Sequence, residues 1–252
     1  MSRWLFDLGN SRLKCAPLQD DGTLGQIVAL PHGQAGFAEA LLRMFPGTQD
    51  SACVASVASA ALTAQVTEVL TQRFRRISLA RSSASLAGVR IAYADPARLG
   101  VDRFLALLAA HGRGAHNWLI VGVGTALTID LLDRQGLHSG GRIAPSPAIM
   151  REALHAAAAQ LPAQGGQYLE FAADTADALA SGCEGAALGL IDRSLAEATR
   201  TLGEVPALLL HGGGADMRAA HCPDALRAPA LVLEGLALWS RVGTTVPGIE
   251  EC

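Results

Sequence analysis

The sequence predicts an α/β chain in two halves, each a mixed sheet flanked by helices. Three observations point there. Short apolar runs of strand length alternate with helical apolar spacing along the chain. A strand, Gly turn, strand unit near the start recurs 115 residues later, with Gly9 falling on Gly124 and Asn10 on Thr125. Between the copies, Gly112-Arg113-Gly114 reads as a break, giving domains 1–113 and 114–252.

The elements follow in order. Trp4-Leu5-Phe6 and Arg12–Ala16 read as strands about the turn Asp7-Leu8-Gly9-Asn10-Ser11, where Gly and Asn between apolar stretches punctuate a hairpin. Helical spacing covers Phe37–Met44 and Ala61–Phe74, and strands are predicted around Ala52–Val57 and Arg76–Leu79. Phe104, Leu105, Leu107 and Leu108 define a helix over Asp102–His111. The second unit runs Leu119-Ile120-Val121, the turn Gly122–Ala126, then Leu127–Leu132. Helices at Ala148–Ala159 and Thr175–Thr201 follow, then a buried strand Leu208–Leu210 ending in His211-Gly212-Gly213-Gly214, and a last helix Ala230–Trp239. The tail from Thr244 to Cys252 is expected to fray.

Composition narrows the function. The 252 residues are 50% apolar and only 17% charged, with net charge −3, so the basic footprint of phosphate-backbone binding is missing and nucleic acid is not an expected partner. No uncharged apolar stretch approaches the ~20 residues that span a bilayer, and Asp7 follows the first apolar residues too soon for a secretory leader. A cytoplasmic enzyme without membrane attachment is expected. Five scattered cysteines form no CxxC pair and seven histidines no HExxH, which argues against a disulfide framework or a zinc site.

The Gly turns carry the chemistry. Successive backbone N–H groups in a tight turn form a concave anion site, and Gly permits close approach to phosphate. Asn10, Ser11 and Thr125 add side-chain donors, and Lys14 a point charge for phosphoryl oxygens. Asp7 suits such a site if it holds Mg²⁺, directly or through the metal's waters. The alternative is a plain polar hairpin turn. Neither turn fits GxxxxGK[ST], and GVGTAL is a poor GxGxxG with no helix after it. Leu99-Gly100-Val101-Asp102-Arg103 opens a helix. Asp102 there suits ordinary helix initiation, but also a base beside a bound alcohol, with Arg103 gripping a substrate carboxylate.

In order and spacing the chain resembles the type III pantothenate kinases of the actin, sugar-kinase and Hsp70-like ATPase superfamily. The resemblance is carried by DLGNSRLK at 7–14, Tyr93 with LGVDR at 99–103, GTALTID at 124–130 and GGRIAPSP at 140–147. It continues through AAAAQLP at 156–162, DTADALASG at 174–182, HGGGA at 211–215 and LVLEGLALW at 231–239. It implies two actin-like (ribonuclease H-like) halves and transfer of a phosphoryl group from ATP, with Mg²⁺, to pantothenate. By that resemblance Asp7, Leu8, Gly9, Asn10, Ser11, Arg12, Leu13 and Lys14 cradle the ATP phosphates, Gly124 and Thr125 form a second phosphate loop, and Gly212 and Gly213 lie near the adenosine. Asp102 is then the general base. Tyr93, Gly100, Val101, Asp102 and Arg103 line the pantothenate pocket, and Thr175 completes it from the partner subunit of a homodimer.

Two positions depart from the family pattern. Gly122 stands where the family has the Asp that binds a monovalent cation, K⁺ or NH₄⁺, so that requirement is in doubt. Pro145-Ser146 replaces Pro-Gly, so that turn must form without glycine.

Overall fold

The structure, a computed structural model, describes residues 2–214, 222 and 224–242. The predicted tail from Thr244 and Ala215 of the Gly run lie outside the described residues. The chain divides into two units. The first comprises the N-terminal stretch to Gly114, the segment Gln135–Leu137 and the last helix; the second runs from Ala115 to Pro229 apart from that segment. The expected break after residue 113 therefore falls one residue early. The assignment of everything after it to the C-terminal half is corrected at the last helix, whose apolar face is buried in the first unit.

In the first unit, β1 (Arg3–Leu8), β2 (Arg12–Leu18), β3 (Val28–Pro31), β4 (Gln49–Ser56) and β5 (Phe74–Leu79) form one sheet in the order β3-β2-β1-β4-β5. β1 pairs antiparallel with β2 and parallel with β4. Alternation along β1 sends Phe6 and Leu8 beneath α1 (Phe37–Arg43) and α2 (Ala60–Thr71), into a core with Leu13, Leu41, Val66 and Leu70. Phe45 locks this face, its ring edge-on to Trp4 at 4.8 Å and to Phe74 at 4.9 Å. The predicted helix through Phe74 stops at Thr71, because Phe74 starts β5.

The opposite face of β1 carries Arg3, Leu5 and Asp7. It meets the last helix, α6 (Leu231–Val242), where Arg3 Nη1 donates to Ser240 Oγ at 3.5 Å. A small hairpin, β6 (Ser85–Leu86) and β7 (Val89–Arg90), leads to α3 (Val101–Gly112). Every residue of α3 from Arg103 to Ala110 is buried, and α3 packs along α6. A helix apolar all round is a core helix, which is what fixes the half-buried Asp102 in its first turn.

The second unit repeats the topology with β8 (Trp118–Val123), β9 (Ala126–Leu132), β10 (His138–Pro145), β11 (Ala207–His211) and β12 (Leu226–Arg227), in the order β10-β9-β8-β11-β12. Three antiparallel strands again lead into parallel ones. The weak repeat in the sequence is thus a repeat of fold. Leu119, Val121 and Ile129 pack beneath α5 (Thr175–Leu202), which Asp174 caps through the Ala176 and Asp177 N–H groups. α4 (Pro147–Ala157) explains one departure: Ser146 caps it, accepting from Ile149 N, with Pro147 at the first helical position. Ser146 sits in extended backbone, so no glycine is needed there. β3, β10, β12 and the β6–β7 hairpin were not predicted. No helix is long and apolar enough to cross a membrane among the described residues.

Candidate active site

The first turn joins β1 to β2. Gly9 N donates to Arg12 O at 3.1 Å, and the register sets Asp7 opposite Lys14 and Leu8 opposite Leu13. Asn10, Ser11 and Arg12 are exposed at the tip. Leu8 and Leu13 are completely buried, so their side chains support the turn from below and leave only backbone to face a ligand. His32, after β3, places Nε2 2.9 Å from Gly9 O and props the turn from the side. Nothing in the sequence singled out His32. The contact arises because β3 brings an edge-strand end beside the turn.

Asp7 is the last but one residue of β1, on the face that meets α6. Burial pushes its pKa from 3.8 up to about 6; Lys14 opposes that rise and the Asp102 carboxylate adds to it. Asp7 and Asp102, far apart in sequence, therefore feel each other's charge. Asp102 lies in the first turn of α3, where Oδ1 accepts the Arg103 N–H at 2.8 Å, one of the helix's otherwise unused donors. Its carboxyl folds back over Gly100: a Cβ there would stand 2.7 Å from Oδ1. Gly100 is thus a space requirement of the carboxylate.

Arg103 is buried, with Nη1 donating to Tyr93 Oη at 3.2 Å and its guanidinium 5.9 Å from the Tyr93 ring centroid. The structure thereby brings Tyr93 against Arg103, in the same stretch as Gly100, Val101 and Asp102. No cluster of three or more His, Cys, Asp or Glu suited to a metal occurs among the described residues. Asp7 beside Asp102 fits instead a Mg²⁺ that keeps most of its ligands from phosphate and water, and such an ion would offset the repulsion that raises Asp7.

In the second unit, Gly124 N donates to Ala126 O at 3.0 Å and closes the turn after β8, with Thr125 exposed. Gly214 N donates to Val123 O at 3.0 Å, so the run after β11 folds across the end of β8. Gly212 makes this possible: its φ is +91°, and a Cβ would lie 2.4 Å from Val123 O. Gly124, Thr125, Gly212 and Gly213 thus gather at one end of this sheet. Gly122 lies in a cross-strand row between Thr128 and His211. A Cβ on it would meet Thr128 Oγ1 at 2.6 Å and His211 Nε2 at 2.8 Å. The imidazole and hydroxyl occupy the space that any side chain at 122 needs. Thr175, the first residue of α5, is exposed, and no hydrogen bond among the described residues uses its hydroxyl.

Two repeated sheets, each opened by a Gly turn, define the actin-like architecture of ATPases and small-molecule kinases. Solved structures share it. A Campylobacter jejuni protein described as a Baf family transcriptional activator superposes with a TM-score of 0.64 over 96% of this chain and 100% of its own, at 18% identity. An archaeal actin homologue gives 0.53 over 96% and 99%, at 9% identity. Within that class, the family model for type III pantothenate kinase matches residues 4–197. The curated type III pantothenate kinase of Stenotrophomonas maltophilia strain K279a is 57% identical over 95% of this chain and 98% of its own length. That of Xanthomonas axonopodis pv. citri is 55% identical over 97% and 100%. The chain belongs to the type III pantothenate kinase family.

Proposed function

We propose that this protein transfers the γ-phosphoryl group of ATP to the hydroxyl of pantothenate, giving 4′-phosphopantothenate on the way to coenzyme A. The observation that carries the reading is the pairing of Asp7 with Asp102 at the end of the first sheet, next to a buried arginine. Phosphoryl transfer asks for alignment and charge stabilisation more than covalent chemistry. The Gly9–Arg12 turn offers backbone donors and Lys14 a cation to the phosphates, as do Gly124 and Thr125 from the second unit, with Gly212 and Gly213 toward the adenosine. A Mg²⁺ on Asp7, held directly or through water, supplies neutralisation of the phosphate charge. Asp102 takes the proton of the pantothenate hydroxyl as its oxygen bonds to phosphorus and the bond to the ADP oxygen breaks. Arg103, braced by Tyr93, holds the pantothenate carboxylate.

The filled space beside Gly122 supports turnover without a K⁺ or NH₄⁺ requirement. A homodimer in which Thr175 completes the partner's pocket is supported by its unused hydroxyl and by apolar side chains nearby in sequence: Phe171 is 98% exposed and Leu169 45%. A cytoplasmic location suits a reaction on soluble metabolites. ATP consumption with pantothenate, set against a panel of sugars and other small alcohols, tests the assignment. Turnover with a sugar and not pantothenate refutes the substrate.

A second reading, a catalytically weakened regulatory or binding protein, is favoured only by Gly122. The retention of Asp7, Lys14 and Asp102 argues against it, because a binder has no need of a base. Rescue of a strain lacking its own pantothenate kinase separates the two.

A further inference from the structure

We propose that His32 is a positioning residue for the turn between β1 and β2: by holding the Gly9 carbonyl it aims the Asn10 N–H at a phosphate oxygen of the nucleotide. This role rests on the reading of that turn as part of an ATP cradle.

Gly9 is the residue to be steered. Glycine has the widest backbone freedom of any residue, and space does not demand it here, since a Cβ would lie 3.5 Å from its nearest neighbour, Arg12 O. Hydrogen bonds on both sides remove that freedom. Gly9 N donates to Arg12 O at 3.1 Å, and Gly9 O lies 2.9 Å from His32 Nε2. Arg12 N–H does not return a bond to that carbonyl among the described residues, so the hairpin alone closes only half of the pair. A carbonyl oxygen can only accept, so Nε2 carries the proton in this contact.

Holding the carbonyl sets the next N–H. The peptide bond from Gly9 to Asn10 is trans and planar, so Asn10 N–H points opposite to Gly9 C=O. With the carbonyl turned to His32, beside the end of β3, the N–H is turned to the far side of the turn. Asn10 is exposed, and its N–H makes no hydrogen bond among the described residues, which leaves it to an anion.

His32 is itself held. The register sets Pro31, the last residue of β3, opposite Arg12, so His32 leaves the strand beside the turn. Its ring stands edge-on to Phe37, with centroids 6.2 Å apart and planes at 77°. Phe37 opens α1 and is buried in the core with Phe6, Leu8 and Leu13. The line from core to ligand therefore runs through the Phe37 ring, the His32 imidazole, the Gly9 carbonyl and the Asn10 N–H. An exposed turn gains a fixed direction, which lowers the ordering cost when nucleotide binds.

The test separates donor from shape. His32→Phe keeps a ring against Phe37 and removes the hydrogen bond, whereas His32→Gln keeps an amide N–H donor near the same place and removes the ring. In the full-length protein with Mg²⁺, ATP and pantothenate, His32→Phe should raise KM for ATP about three- to tenfold, the worth of about one hydrogen bond. Its kcat and its KM for pantothenate should change little, because the contact is made in ground and transition states alike. His32→Gln should bring KM for ATP back to within about twofold of wild type. The reverse order, equal loss in both variants, or a loss confined to kcat makes His32 a packing residue and overturns the proposal. If a variant has lost turnover, calorimetric titration with a non-hydrolysable ATP analogue should still give weaker binding for Phe than for Gln. Lys14→Met checks the cradle independently. Unchanged ATP affinity in that variant means the turn does not hold phosphate, and the role of His32 falls with it. Weakened affinity there, with His32→Phe at wild-type affinity, leaves the cradle standing and His32 without a part in it.

Discussion

Replacing Asp7 by Asn should make the protein more stable at neutral pH while abolishing turnover. The ordinary carboxyl titrates at 3.8 and Asp7 at about 6, because burial and the Asp102 charge oppose its ionisation. A folded-state pKa raised above the unfolded one favours folding below the unfolded value, and that advantage is lost as pH climbs through the folded value. A shift of about 2 units corresponds to about 3 kcal/mol at most between the protonated and ionised limits. Asn leaves the shape nearly intact and removes the ionisation. Its own amide costs something, but by an amount independent of pH, so the gap between variant and wild type is the quantity to follow. Urea denaturation at intervals from about pH 4 to about pH 7.5 should show the gap widening in favour of Asp7→Asn by about 2–3 kcal/mol. Near neutrality that amounts to about 4–12 °C in Tm for a chain of this size. Saturating Mg²⁺ and ATP should raise the stability of the wild type and leave the variant little changed, because a bound cation relieves the charge that Asn lacks. A gap that stays flat with pH, or closes as pH rises, refutes the placing of a charged, ill-solvated carboxylate at position 7.

Other outcomes follow from the same geometry. Asp102→Asn should reduce turnover by roughly 10²–10⁴-fold, the range for a positioned base, with the melting temperature little changed; near-normal activity removes Asp102 from that role. Activity in Na⁺ and K⁺ buffers should differ by less than about twofold if the missing carboxylate at Gly122, with the His211 ring and Thr128 hydroxyl filling the space beside it, abolishes the cation site; a steep K⁺ requirement means another ligand set exists. Gly122→Ala should cost about 1–3 kcal/mol, from a methyl forced against Thr128 and His211, read as a lower urea midpoint. Phe171→Asp should shift a homodimer toward monomer in sedimentation without unfolding either unit; an unchanged mass places the interface elsewhere.

What the sequence disclosed was whatever repeats or breaks a pattern. The paired Gly turns announced two sheets of one topology, because a turn that must approach a ligand demands glycine and the strands on either side are apolar. Leu99–Arg103 stood out because charges interrupt the start of a core helix. The elements it concealed are held by tertiary contact. β3 alternates weakly and half-faces solvent, and β10 is rich in glycine and ends in proline, so neither reads as a strand alone. Position by position, Leu8 and Leu13 entered the phosphate motif through the family resemblance, and the completely buried side chains show why the residue type there is apolar. The last helix was legible as a helix but not as part of the first unit, since an apolar stripe does not say which sheet will cover it.

Gly122 shows how a departure from a family pattern acquires a physical reading. In sequence it is a missing carboxylate, which suggests a damaged site. In the register of the second sheet it is the middle of a row, His211–Gly122–Thr128, whose outer members have closed over the gap. An acidic side chain restored at 122 alone would strike both neighbours, so Gly122→Asp should lose stability rather than regain a cation dependence. Pairing it with His211→Ser removes the ring and makes room. If only the double change confers activation by K⁺, then glycine and histidine form one compensated unit in this chain. If the single change suffices, the imidazole is incidental and the row is merely tolerant.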